Sequence, residues 1–180
     1  MYKKLILDHT LLSITINRLG QQIIENHKEY KDIVLLGLQP RGIFLADSLG
    51  KSLEATFGTS PKVGYLDTTF HRDDFRRREK PVTPNVTNVP FIIEDKEVIL
   101  IDDVIYTGRS VRAALDAMIT FGRPRRVELL VLVNRKYSRE LPIEPDYIGT
   151  NVNTLPSQKV LVQLKAQGHN EDSIWLVNKE

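Results

Sequence analysis

Val98-Ile-Leu-Ile-Asp-Asp-Val-Ile-Tyr-Thr-Gly-Arg-Ser110 is the stretch on which the fold turns. Val98 to Ile101 are four apolar residues in a row, the pattern of a strand buried on both faces. Asp102 and Asp103 are expected where that strand ends. Carboxylates accept hydrogen bonds, and an adjacent pair suits two neighbouring hydroxyls such as a ribose diol. Val104 and Ile105 carry the chain on to Tyr106-Thr107-Gly108-Arg109-Ser110. Gly108 allows a tight turn and a close approach of backbone to ligand. Thr107 and Ser110 offer hydroxyls. The free N–H groups and dipole of the helix starting there favour an anion. One continuous loop can therefore hold a sugar diol and a sugar phosphate. An acidic pair by itself also fits a solvated loop with a helix cap. The strand before it, the Thr-Gly-x-Ser and the amphipathic helix after it favour the ligand site. Neither GxxxxGK[ST] nor GxGxxG is present.

Outward from this stretch, strand and helix patterns alternate. Leu11 to Ile24 places Leu11, Leu12, Ile16, Leu19, Ile23 and Ile24 on one helical face, with Asp8 or Thr10 as the cap. Asp32 to Leu38 reads as a buried strand, broken by Gln39-Pro40-Arg41-Gly42. Ile43 to Phe57 reads as a helix and Lys62 to Phe70 as a strand. His71 to Asn88 is polar, carries Pro81 and Pro84, and has no periodicity. A loop of that length in a compact domain is generally functional. Glu97 to Ile101 is a strand, Arg109 to Phe121 a helix stopped by Gly122, and Val127 to Val133 another strand. After Lys136, Tyr147 to Val152, Lys159 to Leu164 and Ser173 to Val177 read as short strands. We expect an α/β fold with a central, mostly parallel sheet flanked by helices. The tail is expected to cap the carboxyl edge of the sheet, where ligands bind in open α/β folds.

Bulk properties set the limits. The chain has 180 residues, 41% apolar and 27% charged, which suits one domain. Its net charge of +2 permits an anionic ligand or nucleic acid without requiring either. There is no cysteine, so disulfides and thiolate metal sites are excluded. The apolar runs reach only about five residues, far short of a membrane span. No signal peptide is read at the N-terminus, so the expectation is a cytoplasmic protein. His9, His27, His71 and His169 are scattered and show no metal-ligand spacing.

The Val98–Ser110 stretch resembles the signature of the type I phosphoribosyltransferase family. LLGLQPRGIFLA, LDTTFHRDD, GRSVRAALDA, GRPRRVELLVLVNR and RELPIEPDYIGTNV extend the likeness from about Leu5 to Val177. They resemble the group that pairs uracil phosphoribosyl transfer with attenuation of pyrimidine operons. The resemblance implies a single domain over residues 1–180, with a core of about 10–135 and hood elements at about 1–10 and 140–180. It implies the conversion of uracil and phosphoribosyl pyrophosphate to UMP and pyrophosphate, with Mg²⁺ brought by the substrate and no direct protein ligand. Asp102 and Asp103 would bind the ribose hydroxyls, and Tyr106 to Ser110 the 5′-phosphate. Pro40, Arg41 and Gly42 fall on the family's pyrophosphate loop; by sequence alone Arg41 would pass for a surface arginine on a turn. Arg72 lies on the loop that closes over the site and would contact pyrophosphate on closure. Arg76 to Arg78 read as a solvated face, and His71 as a solvated loop histidine. Tyr106 stands where purine-specific relatives carry an aspartate. Arg135 and Val160 are candidates near the nucleotide, with core packing an equal reading for Val160.

The same resemblance implies homodimers or larger assemblies, and binding of pyrimidine leader mRNA with UMP present. Arg18 and Arg139 are the candidate RNA contacts. Glu144 and Thr150 stand where that group shows an arginine and a lysine, so weakened RNA binding is expected. The alternative is a UMP-dependent RNA regulator with minor catalysis.

Overall fold

The computed structural model describes residues 3–27, 30–73 and 84–178. Five strands form a wholly parallel sheet: β2 (Ile33–Leu38), β3 (Lys62–Leu66), β4 (Glu97–Ile105), β5 (Arg126–Lys136) and β6 (Tyr147–Asn153), in the spatial order β3-β2-β4-β5-β6. A separate antiparallel sheet, β1-β8-β7, is built from β1 (Lys3–Leu7), β7 (Gln158–Gln163) and β8 (Ser173–Asn178).

The described residues include three α-helices: α1 (His9–Asn26), α2 (Gly42–Phe57) and α3 (Arg109–Met118). Side-chain alternation along the strands explains how they are layered. Ile33, Leu35, Ile99, Ile101, Leu130 and Leu132 point to one face, where they bury against α1, α2 and the small sheet. Val34, Leu36, Val98, Leu100, Leu129 and Val131 point to the other, against Val111, Ala114 and Met118 of α3. Asp8 caps α1 by accepting from the Leu11 N–H at 2.8 Å. No helix among the described residues is long and apolar enough to cross a membrane.

Four elements differ from the sequence expectation. β4 continues to Ile105, so the acidic pair lies inside the strand. The cause is β5, which runs on to Lys136 and supplies partners, with Asp102 opposite Val131 and Val104 opposite Val133. β6 joins the main sheet instead of the hood. Tyr147 pairs beside Leu130, its ring is buried, and its hydroxyl donates to Glu128 at 2.9 Å. The core thus extends to Asn153, and the hood consists of β1, β7 and β8. β3 ends at Leu66, where the chain turns through a short 3₁₀ segment, Thr69–His71. The last turn of the third helix tightens to 3₁₀ at Ile119–Phe121 before Gly122.

At the amino ends of β4 and β5, His27 is buried with a carboxylate at each ring nitrogen. Glu97 lies at 2.7 Å and Glu128 at 2.9 Å. Burial pushes the Tyr147 hydroxyl beside them up to about 12. Hydrogen bonding from Arg125, with His27 assisting, holds Glu97 below its ordinary value, and Lys96 does the same for Asp32. Depressed carboxylates stabilise the fold above their ordinary pKa and lose that contribution as pH falls toward the depressed value. The contribution of these two carboxylates to melting temperature is therefore expected to hold from neutrality to about pH 5 and then fall. In Glu97→Gln the acid-side fall should be shallower. Parallel melting curves from pH 7 to pH 3 would refute this.

Candidate active site

Every element that the sequence singled out ends at the carboxyl edge of the parallel sheet. A cleft of about 510 Å³ there is lined by Pro40 and Arg41 after β2, Arg72 after β3, Asp102, Asp103, Val104, Tyr106 and Ser110 on and after β4, Arg135 on β5 and Val160 on β7. A smaller recess of about 230 Å³, shared by Arg72, Asp102 and residues 104–111, adjoins it.

The acidic pair is set by its strand. Asp103 is buried and ion-paired to the Arg41 guanidinium, so the turn after β2 and the end of β4 are tied together. The Asp102 carboxylate accepts from the Asp103 N–H at 2.8 Å. Loss of solvent, and secondarily the charge of Asp103, push Asp102 well above the usual carboxylate range. Gly42 of the same turn is required for space. A Cβ there would lie 2.2 Å from the carbonyl oxygen of Ile101.

Beyond β4 the chain turns at Gly108, which has φ 91° and precedes the first turn of α3. The N-cap Gly108 has no side chain to cap that helix, and Thr107 Oγ1 accepts only a long bond from the Arg109 N–H, at 3.4 Å, so the N–H groups of Ser110 and Val111 are left for a ligand in the recess. The Arg72 guanidinium donates to Ser110 Oγ at 2.8 Å, at this recess. The Arg109 side chain is turned aside to Asp73 and Glu140, leaving only its backbone for the cradle. Arg112 donates to the His71 carbonyl at 2.8 Å. The described start of the long loop is thereby fastened to α3. Asp74, Phe75 and the arginines 76–78 lie outside the described residues.

Arg135 is 5% exposed and lies within β5, not after it. Its guanidinium stacks on the Tyr106 ring at 3.8 Å and donates to Thr154 Oγ1 at 3.0 Å and the Gln158 carbonyl at 3.1 Å. Burial draws its pKa below the ordinary arginine value. Val160 lines the cleft and also packs against the core. The sequence missed Asp67, Thr68, Thr69, Asn85 and Lys159, which also line the cleft. The polar Asp67-Thr68-Thr69 triplet at the end of an apolar strand was the available signal.

The two candidate RNA contacts are occupied. Arg18 donates to the carbonyls of Ile148 at 3.4 Å and Gly149 at 2.5 Å. Arg139 is turned inward to the Tyr106 carbonyl, and Glu144 lies 3.5 Å from its Nε.

Three comparisons bear on this geometry. Residues 4–168 match the family described as the phosphoribosyl transferase domain. The chain is 43% identical over 165 residues to the bifunctional protein pyrR of Enterococcus faecalis, covering 92% of each. It is 44% identical over 177 residues to bifunctional protein PyrR of Limosilactobacillus fermentum, covering 97% of this chain and 98% of the relative. With the PyrR of Bacillus subtilis it shares 42% over 171 residues and 94% of each chain. In fold it resembles the hypoxanthine phosphoribosyltransferase of Trypanosoma cruzi, with a TM-score of 0.72, 15% identity and coverage of 98% and 97%. A Staphylococcus aureus hypoxanthine phosphoribosyltransferase gives 0.67 at 18% identity, covering 88% and 81%.

Proposed function

We propose, on the premise that the chain belongs to the phosphoribosyl transferase family and to its bifunctional PyrR group, that it transfers a phosphoribosyl group from phosphoribosyl pyrophosphate to uracil. UMP and pyrophosphate are the products. The observation that carries this is the meeting of Arg41, the Asp102–Asp103 pair and the uncapped start of α3 in one cleft.

On this reading Asp102 and Asp103 accept from the ribose hydroxyls, and the backbone of Thr107 to Ser110 receives the 5′-phosphate. Pro40 to Gly42 meet the pyrophosphate, with Arg41 leaving Asp103 to pair with phosphate oxygens. The hood residue Val160 and the Tyr106–Arg135 stack border the base. Departure of pyrophosphate leaves positive charge on the ribose carbon, and the nearby carboxylates stabilise it. No covalent nucleophile is required. Mg²⁺ would enter on the phosphate oxygens of the substrate, with no direct protein ligand, and would neutralise the leaving group. The same reading carries a cytoplasmic protein that works as a homodimer or larger homo-oligomer.

An assay of uracil and phosphoribosyl pyrophosphate with Mg²⁺ tests the proposal. Formation of UMP is expected, with hypoxanthine turned over at least about a hundredfold less well. Equal use of both bases would overturn the uracil assignment. The RNA-regulator alternative predicts tight UMP-dependent binding of pyrimidine leader RNA with little turnover. The engagement of Arg18 and Arg139 with backbone carbonyls, and the Glu144 carboxylate beside Arg139, support weak RNA binding. A gel-shift titration showing nanomolar, UMP-dependent binding would reverse that part.

A further inference from the structure

We propose that Arg139 is a positioning residue for the sugar-phosphate substrate, holding the phosphate loop in its binding shape from behind. The proposal rests on the phosphoribosyl reading of the cleft. It gives Arg139 a task inside the enzyme in place of the RNA contact expected from the sequence.

The loop after β5 packs directly on the phosphate loop, and its donors converge on two consecutive carbonyls. Arg139 Nη1 donates to the Tyr106 carbonyl at 2.5 Å, and Ser138 Oγ, whose nearer acceptor is the Arg135 carbonyl at 2.9 Å, lies 3.3 Å from the same Tyr106 oxygen. The N–H groups of Glu140 and Leu141 donate to the Thr107 carbonyl at 3.0 and 3.2 Å. Side-chain carbons of Arg139, Leu141 and Ile143 close around Gly108, each 3.5 Å from where a Cβ would sit. Arg139 is itself held at two further points. Its Nη2 donates to Asn134 Oδ1 at 2.8 Å, and its Nε lies 3.5 Å from Glu144 Oε1. The side chain is only 15% exposed.

The consequence is electrostatic as well as mechanical. Tyr106 and Thr107 are the last two residues before the glycine that turns into α3. Carbonyls at these positions would repel a phosphate if they swung toward the recess. Donors behind the loop hold both oxygens away, which leaves the N–H groups of the helix start as the face that an anion meets. Arg139 lines neither the main cleft nor the phosphate recess. It therefore acts through the loop and not by touching substrate. A guanidinium is suited to this because its planar fork spans the Tyr106 carbonyl and the Asn134 amide oxygen together. A lysine ammonium keeps the charge but can satisfy only part of that geometry.

The experiment compares wild type with Arg139→Gln, Arg139→Lys and Ser138→Ala. Steady-state kinetics with each substrate are read beside the melting temperature and calorimetric titration with ribose 5-phosphate. Arg139→Gln is expected to raise the KM for phosphoribosyl pyrophosphate by about tenfold or more. The KM for uracil, taken at saturating phosphoribosyl pyrophosphate, should move less than about twofold, because only the phosphate end is disturbed. Arg139→Lys should recover part of the loss and Ser138→Ala should show a mild form of it. If Arg139→Gln fails to fold, the other two variants decide. An unchanged KM for phosphoribosyl pyrophosphate in both Lys and Ala variants would overturn the proposal, as would full recovery by lysine from a glutamine defect. Ribose 5-phosphate separates this proposal from the reading beneath it. If wild type does not bind it, the phosphoribosyl reading of the cleft falls and this proposal with it. If wild type and Arg139→Gln bind it equally, only this proposal falls.

Discussion

Replacing Asp102 and Asp103 together with asparagine should slow turnover roughly a thousandfold, whereas Asp102→Asn alone should raise the melting temperature. The activity loss follows from removing both charged acceptors for the ribose hydroxyls and the negative charge nearest the reacting carbon. Hydrogen bonds to charged groups are each worth about 1.5–3 kcal/mol, so two of them account for a loss of this size. The stability gain has a separate cause. Asp102 sits where loss of solvent and the neighbouring Asp103 disfavour its ionised form, so its pKa is raised in the folded state. A carboxyl group with a raised pKa contributes fully to stability below its ordinary value. That contribution is lost as pH rises through the raised one. Asparagine never carries the charge, so it escapes that loss. The variant should melt about 2–6 °C higher than wild type on the alkaline side. This advantage should shrink as pH falls through the raised value and vanish below the ordinary one. Asp103 differs because its replacement strips Arg41 of its ion-pair partner, so the double variant should regain less. Calorimetric melting across pH and an assay of UMP formation check both halves. A double variant with a tenth of wild-type activity, or an Asp102→Asn that melts lower at pH 8, would refute the assignment.

Gly42→Ala should cost about 3 kcal/mol and impair substrate binding together. The added methyl would meet the Ile101 carbonyl oxygen at 2.2 Å, its carbon at 3.2 Å and Asp102 Cα at 3.3 Å. All three are backbone atoms, so no side chain can swing aside. Relief must come from moving the start of α2 or the end of β4. Either shift separates Arg41 from Asp103 or displaces Asp102. The melting temperature is expected to fall by about 6–12 °C. The KM for phosphoribosyl pyrophosphate should rise at least about tenfold. Gly50→Ala, deeper in α2, is the control. Its methyl would touch only side-chain atoms of Val63 and Leu35, at 3.1 and 4.0 Å, and alanine favours the helix. Gly50→Ala should melt near wild type, and equal losses in the two variants would defeat the backbone-contact explanation.

The parts of this architecture written as local patterns were legible in the sequence. The apolar runs at Ile33–Leu38 and Val98–Ile101 and the faces of the three helices specify the parallel core. The placement of Asp102 to Ser110 followed from the strand before it and the helix after it. What was hidden depends on partners distant in the chain. Tyr147 to Asn153 looked like hood because its affiliation rests on pairing with β5, which nothing local encodes. The length of β4 was missed for the same reason, since Asp102 and Val104 remain in the strand only because Val131 and Val133 lie beside them. Charge was misread most easily. Arg18 and Arg139 read in sequence as RNA contacts and Arg109 as part of the phosphate cradle, yet each side chain is committed to a carbonyl or carboxylate. The His27 network was illegible because Glu97 and Glu128 lie on different strands.

The Arg18 contact has a consequence for solubility. β6 is the last strand of its sheet, and an open strand edge invites another chain to add to it. Arg18 reaches across from α1 onto the carbonyls of Ile148 and Gly149, satisfying acceptors along that strand and placing a charge over it. A cation there is a guard against edge-to-edge aggregation. The guard and a polyanion would compete for the same guanidinium, so drawing Arg18 to a nucleic acid would uncover the margin of the sheet that it shields.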